Sequence, residues 1–279
     1  MKLGMCDWSL RARDPAAVPL AKRLGLDGLQ LQMGDPKEGV PLRRPERQKQ
    51  YLEAARQHSI EFPSICPLFL NQVPLFSEPV TAIWLLDSVG VARALGATVI
   101  MLPFFGNGEL KEPWQIDRTV DVMRQAARHA EREKVTLALE NTLSAEDNLR
   151  IVERIGSPAV KIWYDVGNSS VRKYDVPAEI RRLGREQIAM FHIKDGKSLL
   201  GEGEINFPAI ATAVRDIGYD GWLILETASP NDLEADTRAE AVQKVETAIE
   251  EKVDSVAQSG EELPPAIDGV EVKGGDITV

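Results

Sequence analysis

Val135-Thr136-Leu137-Ala138-Leu139-Glu140, Val160-Lys161-Ile162-Trp163-Tyr164-Asp165, Ile188-Ala189-Met190-Phe191-His192 and Trp222-Leu223-Ile224-Leu225-Glu226 follow one rule. Each is a short, mostly apolar run closed by a side chain that can carry a proton or ligate a cation. Runs of this length, rich in branched and aromatic residues, have the character of parallel strands buried on both faces. Moving outward, similar runs occupy residues 3–6, 28–33, 61–66 and 98–102, which brings their number to eight.

The stretches between the runs carry helical period. Ile116, Val120, Met123, Ala127 and Ala130, for example, form an i, i+4, i+7, i+11, i+14 stripe. Gly25, Gly96 and Gly218 each stand between a helical stretch and the next run, where a helix ends in a left-handed residue. Ser144 with Asp147 reads as a capping pair at a helix start. Alternating strands and helices imply parallel strands joined by right-handed crossovers, and eight such units predict an α/β fold of the (β/α)8 TIM-barrel type. The rival, an open doubly wound sheet, loses its best support because the first strand-to-helix turn lacks a G-x-G-x-x-G fingerprint. The barrel is assigned to residues 1–258, with a closing helix over 236–257. Residues 259–279 contain Pro264-Pro265 and Gly274-Gly275 without period. They are expected to form a C-terminal extension that packs on the barrel, bridges to a partner subunit of a homo-oligomer, or stays unordered.

The composition agrees with one globular barrel: 279 residues, 43% hydrophobic and 27% charged. Thirty-three Lys and Arg against 43 Asp and Glu leave a net charge of −10, which repels a phosphate backbone and argues against nucleic acid as a partner. The only cysteines, Cys6 and Cys66, sit in apolar stretches without disulfide-scaffold or metal-ligand spacing, which suits a reducing compartment. With no apolar leader and no run of about 18 apolar residues, a cytoplasmic protein without a membrane partner is expected.

In such a barrel, side chains at the C-terminal ends of strands face the active-site mouth. Glu140, Asp165, His192 and Glu226 hold that position on four consecutive strands. A single acid there is commonly a helix cap or a loop ion-pair partner. Three carboxylates converging on one rim repel one another unless a cation sits among them, so a divalent metal is expected. Hard oxygen donors with one imidazole favour Mn²⁺ first, with Mg²⁺, Co²⁺ or Zn²⁺ as alternatives.

Leu137-Ala138-Leu139-Glu140-Asn141, Tyr164-Asp165-Val166-Gly167-Asn168, Phe191-His192-Ile193-Lys194-Asp195, Gly201-Glu202-Gly203 and Leu225-Glu226-Thr227 together resemble the sugar isomerase/epimerase family of xylose isomerase-like TIM barrels. The resemblance runs from Met1 to about Ala257. It implies that Glu140, Asp165, His192 and Glu226 are the metal ligands, that Glu140 and Glu226 are the catalytic acid/base pair, and that the substrate is a small carbohydrate. The sugar pocket departs from the ketose 3-epimerases of that family. A substrate-holding His three residues after the strand-six Asp is Asn168 here, a sugar-binding Glu of the second strand is Gln30 or Gln32, and in place of an Arg after the strand-seven His the nearby cations are Lys194 and Lys197.

Trp8 and Phe104 are further expected as apolar walls for a sugar ring, with core packing as the alternative. His58 and His129 fall on helical stretches away from strand ends and read as packing or surface residues. With only three histidines in the chain, the multi-His trinuclear zinc site of the endonuclease IV branch is not expected. The expected activity is isomerisation or epimerisation through an enediolate. A lyase or dehydratase acting on a keto-sugar, keto-glycoside or inosose is the alternative, and a non-catalytic sugar-binding barrel a third.

Overall fold

The computed structural model describes residues 1–226, apart from residues 11, 13 and 197. The expected closing helix, the C-terminal extension and Lys197 therefore lie outside the described residues. Eight strands close into one barrel in sequential order: β1 Lys2–Cys6, β2 Gly28–Gln32, β3 Glu61–Cys66, β4 Val99–Pro103, β5 Thr136–Glu140, β6 Val160–Asp165, β7 Ile188–Ile193 and β8 Trp222–Leu225. Every neighbouring pair is parallel, and β1 pairs with β8 to complete the ring. The eight runs read from the sequence are these strands, with bounds that agree to within two residues.

The helices are amphipathic where the periodicity placed them. In α4 (Pro113–Glu133), Val120, Met123, Ala127 and Ala130 are buried against the barrel, while Ile116 packs at its edge. Helix α3 (Pro79–Leu95) stops at Gly96, whose φ of 76° lets its N–H reach back to the Ala92 carbonyl, a conformation a Cβ would strain. Helix α5 (Ala145–Ile155) starts at Ser144, whose hydroxyl accepts the Asp147 N–H at 3.1 Å. Among the described residues no helix is long and apolar enough to cross a membrane.

A strand sends alternate side chains to opposite faces. One phase of the strands packs outward onto the helices: Leu137, Leu139, Ile162, Tyr164, Phe191, Leu223 and Leu225 belong to this layer. The other phase forms a separate buried cluster of Cys6, Cys66, Val99, Met101, Ala138, Trp163, Met190 and Ile224 that fills the barrel. Two residues further along the same inner phase come Glu140, Asp165, His192 and Glu226. The functional set thus stands one step above an apolar plug, at the C-terminal end of the barrel.

Candidate metal centre

Glu140 and Asp165 end β5 and β6, His192 lies in β7, and Glu226 follows β8, its backbone N–H still held by the Ile193 carbonyl at 3.0 Å. Each offers one ligand atom, and these atoms all lie within 4.8 Å of one another. His192 Nδ1 is the centre of the group, 2.8 Å from Glu140 Oε1, 3.5 Å from Glu226 Oε2 and 3.7 Å from Asp165 Oδ2. Asp165 is divided between two tasks: Oδ1 accepts the Asn168 N–H at 2.8 Å and caps the short helix α6 (Val166–Val171), whereas Oδ2 is left for the cluster. The helix cap and the metal-ligand readings of this residue are compatible.

The Glu140, Asp165 and His192 side chains are almost wholly enclosed, and Glu226 is 23% exposed toward the mouth. Burial pushes the Glu140 carboxyl up to about 7, against the pull of His192. Burial also opposes ionisation of Asp165, but the His192 hydrogen bond and the Lys194 charge prevail and hold it down at about 2. Burial disfavours the His192 imidazolium, yet the carboxylates of Glu140 and Glu226 outweigh that and raise its pKa. In the absence of metal the cluster therefore retains protons. Lys194 Nζ is the internal counter-charge, 2.7 Å from both Asp165 Oδ2 and Glu226 Oε2. Three ionised carboxylates, one ammonium and a neutral imidazole sum to two negative charges. Oxygen and imidazole donors, convergent geometry and that balance all fit a divalent cation.

The stem of Lys194 lies across the start of α6, where a Cβ on Gly167 would come within 2.5 Å of Lys194 Cγ. On the other flank, Trp8 is partly exposed and donates its indole N–H to Glu226 Oε1 at 3.1 Å. Gln32 and Asn168 are likewise partly exposed, Gln32 lining a cavity with Asp7, Asp35, Arg47 and Tyr51. Two expected sugar contacts are placed differently. Gln30 is fully buried beneath the cluster and accepts from His192 Nε2 at 2.7 Å, so it touches His192 instead of the mouth. Phe104 is 1% exposed and belongs to the outer core layer, because it is out of phase with the inner-facing Val99, Met101 and Pro103. His58 ends α2 (Pro45–His58) and His129 lies in α4 beside Arg132, both away from the cluster.

Residues that the sequence did not assign to the site complete the surroundings. Trp163 stands edge-on to the His192 ring at 4.8 Å, and the Cys6 thiol, pushed up to about 12 by burial, approaches Gln30 and His192. Asp7 follows β1, and both its carboxylate oxygens lie 3.2 Å from the Gln32 N–H. The inner-face phase of β1 and β6 is the signal that marks Cys6 and Trp163.

Residues 18–250 match the family model described as the xylose isomerase-like TIM barrel, and the chain belongs to that family. It is 30% identical over 224 residues to the 2-epi-5-epi-valiolone 7-phosphate 2-epimerase of an Actinoplanes species, covering 77% of this chain and 82% of that one. Among solved structures it is similar to the D-psicose 3-epimerase of Clostridium cellulolyticum, with a TM-score of 0.76, 18% identity, and 89% of this chain and 99% of that one covered. An L-ribulose 3-epimerase superposes with a TM-score of 0.77 at 19% identity, covering 95% of this chain and 99% of the other.

Proposed function

We propose that this chain is a divalent-metal-dependent sugar epimerase or isomerase, with Glu140, Asp165, His192 and Glu226 holding the cation and Glu140 and Glu226 exchanging the substrate proton. The observation that carries the reading is the convergence of three carboxylates on His192 Nδ1 inside a barrel mouth. A bound divalent cation supplies Lewis-acid polarisation of a substrate carbonyl and stabilises the negative charge that grows on its oxygen as the neighbouring C–H ionises. Manganese is the first choice, with Mg²⁺, Co²⁺ and Zn²⁺ as alternatives.

The two glutamates are the outer members of the set, on β5 and after β8, with Asp165 and His192 between them. That order supports a reading in which a substrate seated at the centre has one carboxylate on each side. If one glutamate removes the proton and the other returns one on the opposite face, the stereocentre inverts and the product is an epimer. If the proton is returned to the neighbouring carbon, the same groups interconvert aldose and ketose. Glu226, open to the mouth and held at both oxygens by Trp8 and Lys194, is positioned to meet substrate first. Lys194 balances charge beside it, and Trp8, Gln32 and Asn168 border the entrance.

The substrate class is a polyhydroxylated ketone with a stereocentre next to the carbonyl. The similarity to a 2-epi-5-epi-valiolone 7-phosphate 2-epimerase supports this class. The test is product NMR in D₂O, using metal-loaded protein and a panel of ketoses, their phosphates, keto-glycosides and inososes. Deuterium at one carbon of a product with unchanged formula is expected. Loss of water or of an alcohol would overturn the reading in favour of a lyase, and binding without exchange in favour of a non-catalytic barrel.

A further inference from the structure

We propose that Gln30 is a positioning residue that fixes the His192 tautomer, keeping the ring proton on Nε2 so that the Nδ1 lone pair is presented to the cation. The inference rests on the metal centre proposed above and assigns a role to a residue outside the ligand set.

The Gln30 side chain is enclosed completely, and its neighbours determine which way the amide is turned. Met101 Sδ lies 3.4 Å from Gln30 Nε2, and a thioether can accept a hydrogen bond but not donate one. Cys6 Sγ lies 3.2 Å from Gln30 Oε1, and a thiol can donate to it. Turning the amide over would set its oxygen against the lone pairs of Met101, which has no hydrogen to donate, whereas the thiol can serve either orientation. The oxygen therefore faces His192 Nε2, at 2.7 Å. An amide oxygen only accepts, so Nε2 must carry a hydrogen.

A neutral imidazole has one ring proton. With that proton committed to Gln30, the neutral ring has its lone pair on Nδ1, the atom that faces Glu140, Glu226 and Asp165; in the metal-free cluster a proton lies in the 2.8 Å hydrogen bond between Nδ1 and Glu140 Oε1, and that is the proton a cation would replace. Met101 on β4 and Gln30 on β2 thus relay a choice of proton position to His192 on β7. Trp163, edge-on at 4.8 Å, limits rotation of the ring. Because Gln30 has no exposed surface, contact with a sugar cannot account for its placement. An orienting hydrogen bond of this kind typically changes metal affinity by about 10–100-fold when it is removed.

The experiment uses the full chain with ¹⁵N-labelled histidine, loaded with Zn²⁺ as a diamagnetic probe. The chain has only three histidines, and the His192→Gln spectrum assigns the resonances. In wild-type protein His192 is expected to show a one-bond proton coupling at Nε2 and a metal-induced shift at Nδ1. Calorimetric titration of Gln30→Leu should show Zn²⁺ affinity lowered about 10–100-fold, while Gln30→Glu, which keeps an acceptor and adds a negative charge, should bind at least as tightly as wild type. A proton on Nδ1 with zinc on Nε2, or a Gln30→Leu protein that binds zinc as wild type does, would overturn this inference alone. Wild-type protein that takes up no metal would overturn the metal centre and the inference with it. The wild-type spectrum decides the tautomer even if Gln30→Leu fails to fold.

Discussion

Trp8 donates its indole N–H to Glu226 Oε1 at 3.1 Å, across the rim from the far side of the same carboxylate, where Lys194 Nζ meets Oε2 at 2.7 Å. A carboxylate held at both oxygens cannot rotate freely, and a proton acceptor gains from such fixed orientation. Trp8→Phe keeps an aromatic ring and removes only the N–H. The variant is expected to bind metal normally and to lose about tenfold in kcat, the cost of one hydrogen bond to a charged group. Parallel metal titration and steady-state kinetics check it, and an unchanged kcat would show that the indole serves only as a wall.

Lys194 adds a positive charge to the cluster that a metal must enter. Removing that charge as Lys194→Gln should raise divalent-metal affinity about tenfold, roughly the effect of one screened charge at this range, while lowering turnover. Gly167→Ala should push the same way, because its Cβ would displace the Lys194 stem. Titration of both variants with Mn²⁺ tests the pair, and weaker binding in Lys194→Gln would contradict the charge argument.

Asp7 offers a pH test away from the ligands. Burial pushes its carboxyl up to about 7 from the ordinary 3.8, and nearby Asp14 adds to the rise. Because the folded state keeps a proton that the unfolded chain has released, Asp7's contribution to stability is full below 3.8, declines as pH rises toward about 7 and then levels off. The whole decline is at most about 4 kcal/mol, at ~1.4 kcal/mol per pH unit. Asp7→Asn cannot ionise, so its stability relative to wild type should rise between pH 5 and 8 in urea unfolding of metal-free samples. Parallel curves for the two proteins would remove Asp7 as the source.

Activity should also fail on the acid side. Protons compete with the cation for Glu140, Glu226 and His192, so the rate should fall together with metal content as pH drops below neutrality. Added metal should shift the acid limb to lower pH. An acid limb insensitive to metal concentration would place the controlling proton on substrate or on another group.

The barrel and its four-residue rim were legible because both follow from local rules. Strand length, strand-to-helix alternation and the residue that ends each run need no knowledge of distant contacts. Residues two positions apart share a face, so Ala138 with Glu140 and Trp163 with Asp165 could be assigned inward from the pattern alone. Gln30 was harder. Its closeness to His192 depends on closure of the ring between β2 and β7, which no local pattern reports. Phe104 misled because position after a strand was weighed without phase: one residue past the inward Pro103, it turns outward into the core. Lys194 was legible as a nearby cation, but its bridge between Asp165 and Glu226 depends on the small residue Gly167 at the start of α6.

Glu226→Gln, assayed for bound metal and for turnover on the same sample, tests the central claim most directly. The amide oxygen can still ligate the cation, but it cannot take or return a proton at neutral pH. The protein is expected to remain metal-loaded while the rate falls by about 10²–10⁴-fold, the range for loss of a general acid–base group. A metal-loaded Glu226→Gln protein that turns over near the wild-type rate would contradict the account and move the proton chemistry to another residue.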